Sequence, residues 1–296
     1  MNEIFDRLFI RIFFTIFICV LLWGYRYIHA YIYRDEKKQI LKSLFLTNNP
    51  ASTLHFFSRL IGIALIFSTL GFDETSGIFV SLFHFFIWGT ISFALYLTSI
   101  YIVESILFYN FEFVDEVIKR KNLTYAIISF FQCVSISFLV RTVVEQSEGS
   151  LIILIMLWLF ALVLFGFSSK LYTYVSVYTF NRNMLQKSLS LAYSYSGFIL
   201  GITIIITTAL EQEHYDITSY GFEAILRILL SLIIYPLFKA GINYVYNIRV
   251  ENQVDNSGHD TDYSYGVYEG GLFLTTALLT SLIVGKISFS SIYPFF

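Results

Sequence analysis

Four polar side chains lie within apolar stretches of the sequence, where they could bind or conduct a charged solute: His55, Arg59, Gln132 and Glu269. Arg59 lies roughly 12 Å along a helix from the polar residues that precede its stretch, and His55 is one turn earlier. An unpaired charge at the centre of a bilayer costs at least about 2.5–3.5 kcal/mol. We therefore expect Arg59 to face the protein interior beside His55 and to contact Glu269, Gln132 or backbone carbonyls. Two interpretations stay open, a structural polar cluster and the lining of an ion or solute path.

A second pair of charges, Glu104 and Lys170, occupies equivalent positions in successive hairpins. Each lies about five helical turns before a polar residue, Asn122 or Ser188, that opens a later apolar stretch. Opposite charges at equivalent places of adjacent hairpins could pair across the protein.

Catalytic signatures are absent from the sequence. It contains no His-Glu-x-x-His, no glycine-rich phosphate loop, no Cys-x-x-Cys and no Gly-x-Ser-x-Gly. Its histidines show no metal-ligand spacing, and the acidic stretch 254–264 lacks the calcium-loop pattern. We therefore predict a protein that is not an enzyme and that holds neither a metal nor another cofactor.

Composition places these residues in a membrane protein. Apolar residues make up 56% of the 296 residues and charged residues only 14%, whereas soluble domains carry roughly 25% charge. The net charge of −2 gives no basic surface for nucleic acid. Both cysteines, Cys19 and Cys133, fall in apolar runs, which excludes a disulfide framework. Soluble enzymes and nucleic-acid-binding proteins are excluded, and the expected surroundings are a lipid bilayer.

Eight apolar segments are long enough to cross a hydrocarbon core, which needs about 20 residues. Their approximate limits are 8–32, 52–72, 78–108, 123–144, 151–180, 189–210, 222–247 and 265–287. The odd-numbered spans are long and end in tyrosines, while the even-numbered spans are shorter and richer in small residues. We predict an all-α polytopic bundle of about eight transmembrane helices.

The even-numbered spans align with one another without gaps, which indicates an internal repeat. The first and third differ by 139 residues and the second and fourth by 140, close to half the chain. We predict a four-helix unit, 1–148, duplicated as 149–296. An even number of spans per unit makes the two copies parallel in the membrane.

Small residues recur four apart on the even-numbered spans. Such pairs flatten one helix face and let a neighbouring backbone come close, in lipid that supplies no hydrophobic drive between helices. We expect packing inside the bundle, with a contact between copies of the protein as the alternative. The residues concerned are Ser58, Gly62, Gly197, Gly201, Gly266, Gly270 and Gly271.

The stretch 115–144, DEVIKRKNLTYAIISFFQCVSISFLVRTVV, resembles a bacterial inner-membrane family of four-helix proteins, catalogued as domain of unknown function number 350. Asn122 and Ala126 occupy the family's Asn and Ala positions, and Ala192 fits the same place in the second copy, where Ser188 replaces the Asn. The family's glycines are partly retained as Gly197, Gly201, Gly270 and Gly271. The resemblance implies a fold and a location in the bacterial inner membrane, and no chemistry.

Function then divides into two classes. We expect a non-enzymatic membrane subunit or scaffold of an envelope-associated assembly, because the connections are short and the interior is mostly apolar. Its partners would be lipid, further copies of itself, or other membrane and envelope proteins. The alternative is a channel- or transporter-like protein that moves an ion or small solute through a polar path near Arg59, Gln132 and Glu269.

The distribution of Lys and Arg predicts the orientation, and reporter fusions test it. These residues concentrate in 26–42, 105–121, 170–187 and 239–264, while the intervening connections hold only Arg141, so the former face the cytoplasm and both termini lie outside. Fusions after Lys42, Lys121 and Lys187 should report the cytoplasm. Fusions near Glu74, Glu148 and Glu213 should report the outside, and a consistent inverse pattern would contradict this orientation.

Overall fold

The computed structural model describes residues 2–32, 49–68, 70, 77–212, 217–246 and 263–287. Within these ranges eight helices are long and apolar enough to cross a membrane, which confirms the predicted all-α bundle. In chain order the helices are α1 (Asn2–Ile32), α2 (Pro50–Phe67), α3 (Ile78–Leu107), α4 (Leu123–Gln146), α5 (Leu151–Lys170), α6 (Tyr172–Val175), α7 (Phe180–Leu185), α8 (Leu189–Leu210), α9 (Ile217–Val245) and α10 (Ser264–Val284). A π-helical segment, Val114–Lys119, precedes α4.

Polar side chains fix where three of the membrane helices begin. Asn49, Asn122 and Ser188 each accept a hydrogen bond from a backbone N–H in the first turn of α2, α4 and α8, at 3.2, 3.3 and 3.3 Å. Such caps satisfy N–H groups that have no partner within the helix. Both asparagines also donate to the segment Val114–Lys119, which ties the helix starts to the preceding connection. The fourth aligned residue, Asp262, lies outside the described part of the chain.

Four of the membrane helices form an inner row in the order α2–α4–α8–α10. The most extensive packing joins α8 to α10, followed by α2 with α4 and α4 with α8. In the middle of the row, 72% of the most apolar 18-residue stretch of α4 and 67% of that of α8 is buried. The corresponding fraction is 11% for α1 and for α9. Helices α1 and α9 therefore face lipid over much of their length, while α3, at 44%, is buried to the same extent as α2 and α10.

Glycines let the backbones of α8 and α10 touch. A side chain at Gly197 would overlap the backbone of Gly270, and a side chain at Gly266 would overlap that of Ser190. A Cβ at Gly201 would come as close as 3.0 Å to α10. Such close approach lets backbones pack by van der Waals contact where lipid supplies no other drive.

Of the remaining small residues, two are buried in the first copy and one lies on an exposed helix face. Ser58 is fully buried in α2, and a side chain at Gly62 would overlap the ring of Tyr96 on α3. Gly271 instead lies on an exposed face of α10, where a Cβ would meet no heavy atom of the described residues within 4 Å. The prediction that Gly271 packs inside the chain is therefore wrong. Successive helical residues point about 100° apart, and it is Gly270 that α10 turns toward α8.

The two copies meet through α4 of the first and α8 of the second. At the end of this contact Thr142 donates to the Glu211 carboxylate at 3.5 Å. Partial burial raises the pKa of Glu211, and the nearby Glu145 carboxylate raises it further. In the repeat α8 corresponds to α2 and α10 to α4, so this contact joins helices that are not equivalent. Within the described residues α2 and α10 do not pack together to a comparable extent, and the copies are arranged head to tail.

Adding one methyl group at Gly197 should separate α8 from α10. We expect Gly197→Ala to lower the free energy of unfolding by about 1–3 kcal/mol, the usual cost of overpacking, seen as a lower melting temperature in detergent. Gly241→Ala on α9 is the matched control, because its Cβ would meet nothing within 4 Å among the described residues. Equal effects of the two substitutions would remove the backbone-contact explanation.

Candidate intramembrane polar site

Arg59 is buried in the bundle interior, as its depth in α2 predicted, with 2% of its surface exposed. Its Nη2 lies 2.5 Å from Oε1 of Glu104 on α3. Its Nη1 donates to the His55 carbonyl at 3.0 Å and to the Ser58 hydroxyl at 3.4 Å. The contacts of the guanidinium therefore include a carboxylate, a hydroxyl and a backbone carbonyl.

Glu104 joins three helices. Besides the Arg59 guanidinium on α2, its Oε1 accepts from the Ser129 hydroxyl on α4 at 3.3 Å and lies 4.0 Å from Nε2 of His55. Its side chain is 14% exposed, compared with 3% for that of Arg59. The charge pair thus fixes α2, α3 and α4 to one another inside the first copy.

The acidic partner predicted for Arg59 was Glu269, and the structure places that residue in the second copy instead. Its Oε2 accepts from the Ser176 hydroxyl at 2.7 Å and from the Ser194 hydroxyl. The inner row explains the correction, since α10, which carries Glu269, packs on α8, while α2 packs on α4. Two helices therefore stand between the predicted partners.

The aligned copies nevertheless place their acids at corresponding sites. Ser194 is the counterpart of His55, and Glu269 is the counterpart of Ser129, which contacts Glu104. In each copy one carboxylate thus lies at the same two aligned positions of the inner-row helices. The carboxylate comes from α3 in the first copy and from α10 in the second. The Lys239 ammonium, near Glu269, also lies 4.6 Å over the ring of Phe273.

The predicted pair of Glu104 and Lys170 is replaced by other contacts. Lys170 is exposed at the end of α5 and donates to the Ile106 carbonyl at 3.1 Å. Glu104 turns toward the bundle interior and Arg59. Equivalent positions in the repeat did not give facing side chains, because α3 and α5 present those positions in different directions.

Gln132, the remaining member of the predicted cluster, is 1% exposed on α4. Neither its amide nitrogen nor its amide oxygen has a hydrogen-bond partner among the described residues. Buried polar groups are nearly always hydrogen-bonded. The Gln132 amide is therefore the part of this region that could best accommodate a water molecule or a polar solute.

Sequence reasoning missed the aromatic and histidine neighbours of the site. The His55 ring lies 4.3 Å from that of Phe113 and 6.2 Å from that of His29, measured between centroids, and the Tyr25 hydroxyl lies 3.4 Å from His29 Nδ1. His29 and Tyr25 are one turn apart in the sequence, but nothing there indicates which helix they face. No group of three or more His, Cys, Asp or Glu residues in the described ranges could hold a metal.

A cavity of about 390 Å³ lies beside this region, between α3 and the segment from α5 to α7. It is lined by Asn110, Lys170, Tyr172, Asn181 and Tyr195 among others. None of the four residues predicted as the polar cluster lines it, so the cavity and the Arg59 site are separate features.

Fold and site together define an integral, multi-pass membrane helix bundle made of two tandem copies of a four-helix unit. The family model described as Domain of Unknown Function (DUF350) matches residues 4–144 and 147–284. The chain therefore belongs to this family, as the resemblance of its second and third short spans predicted. Comparison with curated proteins and with solved structures finds no match.

Removing the guanidinium should leave the Glu104 carboxylate without its counter-charge. Because breaking one side of a buried pair costs on the order of 3–5 kcal/mol, Arg59→Met should lower the melting temperature clearly. The double variant Arg59→Met/Glu104→Gln should recover most of the loss, because neither charge then remains. Thermal unfolding of the single and double variants measures this coupling, and additive losses would show that the pair is not an energetic unit.

Proposed function

We propose that this protein is a non-enzymatic subunit or scaffold of an envelope-associated assembly in the bacterial inner membrane. One observation carries the proposal, namely that charged side chains within the spans link helices to one another. Arg59 and Glu104 join α2 to α3, and Glu269 joins α10 to Ser194 on α8. Arg227 on α9 bonds to Glu223 and to backbone carbonyls at the ends of α8 and α10.

Charged side chains that bond to neighbouring helices hold those helices in one arrangement, which favours a structural role. A side chain that moves an ion must release it again, so binding has to be weak enough for the ion to leave. Arg59 instead is held by three groups at once, which favours one geometry. The exposed apolar faces of the outer helices suit a protein whose contacts lie within the membrane.

The alternative function, passage of an ion or small polar solute, is favoured by Gln132. Its buried amide lies one turn along α4 from Ser129, which contacts the charge pair. In that function the amide would bind the solute as it passes the positive charge of Arg59, which would set the electrostatic barrier.

Flux through proteoliposomes separates the two functions. We expect purified wild-type protein to leave proton and potassium flux at the level of empty liposomes, with gramicidin as the positive control. A flux above that level, lost in Gln132→Leu and retained in the lipid-facing control Phe138→Leu, would contradict the scaffold proposal and support passage. Gln132→Leu should also raise the melting temperature, because it replaces an unsatisfied buried amide by an apolar side chain of similar size.

A further inference from the structure

The head-to-tail contact between α4 and α8 is formed by one surface on each helix. Because the chain is a tandem repeat, the counterparts of these two surfaces lie on α10 and α2, at the two ends of the inner row. On α8 the face turned away from Gly197 and Gly201, and thus away from α10, carries Ser196, Ile199 and Thr203. They are 3%, 1% and 2% exposed, and α4 is the other helix that packs extensively on α8. We call this surface the α8 inner face.

The same face of α2 is open. Phe57, Leu60 and Ala64 are the counterparts of these three residues, and we call them the α2 outer face. Phe57 is 44% exposed, Ala64 is exposed and Leu60 is half-buried. A surface that is covered in the second copy is therefore presented to the surroundings in the first.

The partner surface shows the same relation. On α4, Thr142 bonds to Glu211 at the end of α8, and Ser135 and Ile128 lie on the same side at intervals of about two turns. All three are buried, at 3%, 0% and 1%. With Phe131 and Leu139 they form the α4 inner face.

The counterparts on α10 form an α10 outer face. They are exposed or half-buried, with Leu282 at 60%: Tyr268, Gly271, Thr275, Leu279 and Leu282. Each chain therefore carries the α4–α8 contact once closed and once open, with the two open halves at opposite ends of the row. Surfaces of this kind join copies head to tail.

The large and the small side chain change places between the closed contact, α4 with α8, and its open version, α10 with α2. On the surfaces of the closed contact, α4 carries the large, half-buried Phe131 and α8 the small, buried Ser196, at nearly the same distance from their helix caps. In the open version α10 carries Gly271 where α4 has Phe131, and α2 carries Phe57 where α8 has Ser196. Phe57 projects from α2, and a Cβ added at Gly271 on α10 would have no described heavy atom within 4 Å. The large side chain is therefore on the opposite helix of the contact in the open version compared with the closed one.

We propose that the α10 outer face of one chain binds the α2 outer face of a second copy, with Phe57 over Gly271. The contact continues the α4–α8 packing from chain to chain, and the hydroxyl of Thr275 lies within it, while that of Tyr268 donates to the Asn243 side chain on α9 at 2.7 Å. This contact rests on the proposed function in one respect, because a second copy is then one partner of the proposed subunit. Assembly is measured without reference to that role, so either can fail alone.

Cysteine cross-linking in native membranes tests the pairing. With Cys19→Ser and Cys133→Ala as the background, Phe57→Cys and Gly271→Cys chains carrying different tags are co-expressed and oxidised. We expect a covalent dimer that contains both tags. Leu232→Cys, which is 59% exposed on α9, replaces Phe57→Cys as the matched control and should give none. Dimers within one tag, or no dimer beyond the control, would overturn the head-to-tail contact.

A size exchange tests the same contact without cysteines. Gly271→Phe should abolish the oligomer seen by native mass spectrometry and leave the melting temperature unchanged, because the site is open within one chain. Adding Phe57→Ser recreates the Phe131–Ser196 combination and should restore the oligomer. A monomeric wild-type protein, or a Gly271→Phe variant that assembles as the wild type does, would overturn the proposal.

Discussion

The membrane helices pack against one another in lipid, which supplies neither hydrogen bonds nor a hydrophobic drive for helices to associate. The two copies meet this constraint differently at corresponding positions. The second copy brings backbones together, with Gly197 against Gly270. The first has Ser58 and Arg59 where the second has Gly197 and Phe198, and it joins its helices through the Arg59–Glu104 pair.

This difference accounts for the position of the charges. A guanidinium inside a bilayer has to be paired, and in the first copy the acid comes from α3, whose last turn reaches the buried end of the Arg59 side chain. In the second copy the acid comes from α10 and meets serine hydroxyls. A carboxylate therefore occupies the corresponding place in each copy, although its helix of origin and its partners differ. The head-to-tail order of the copies follows from the same inner row, which places α4 against α8 and leaves α2 and α10 apart.

The sequence predicted what depends on local pattern. Span number, helix class, the repeat and the burial of Arg59 follow from hydropathy, spacing and the cost of an exposed charge. It could not predict which acid meets Arg59, since Glu104 and Glu269 both lie within reach by depth, and only the order of helices in the row decides between them. The direction of Gly271 was missed for a related reason, because a one-residue change of register turns a side chain by about 100°. The contacts of Lys170 likewise depend on how α3 and α5 are rotated.

The arrangement of the two copies rests on the open order of the inner row, and one distance tests it directly. Spin labels at Ser68→Cys, which ends α2, and Lys286→Cys, which follows α10, both lie at exposed positions, and dilution with unlabelled protein removes distances between molecules. Neighbouring helix axes are about 8–10 Å apart, so an open row of four predicts a double electron–electron resonance distance above roughly 20 Å. A main distance below about 15 Å would place α2 beside α10 in a closed ring and would contradict the head-to-tail account.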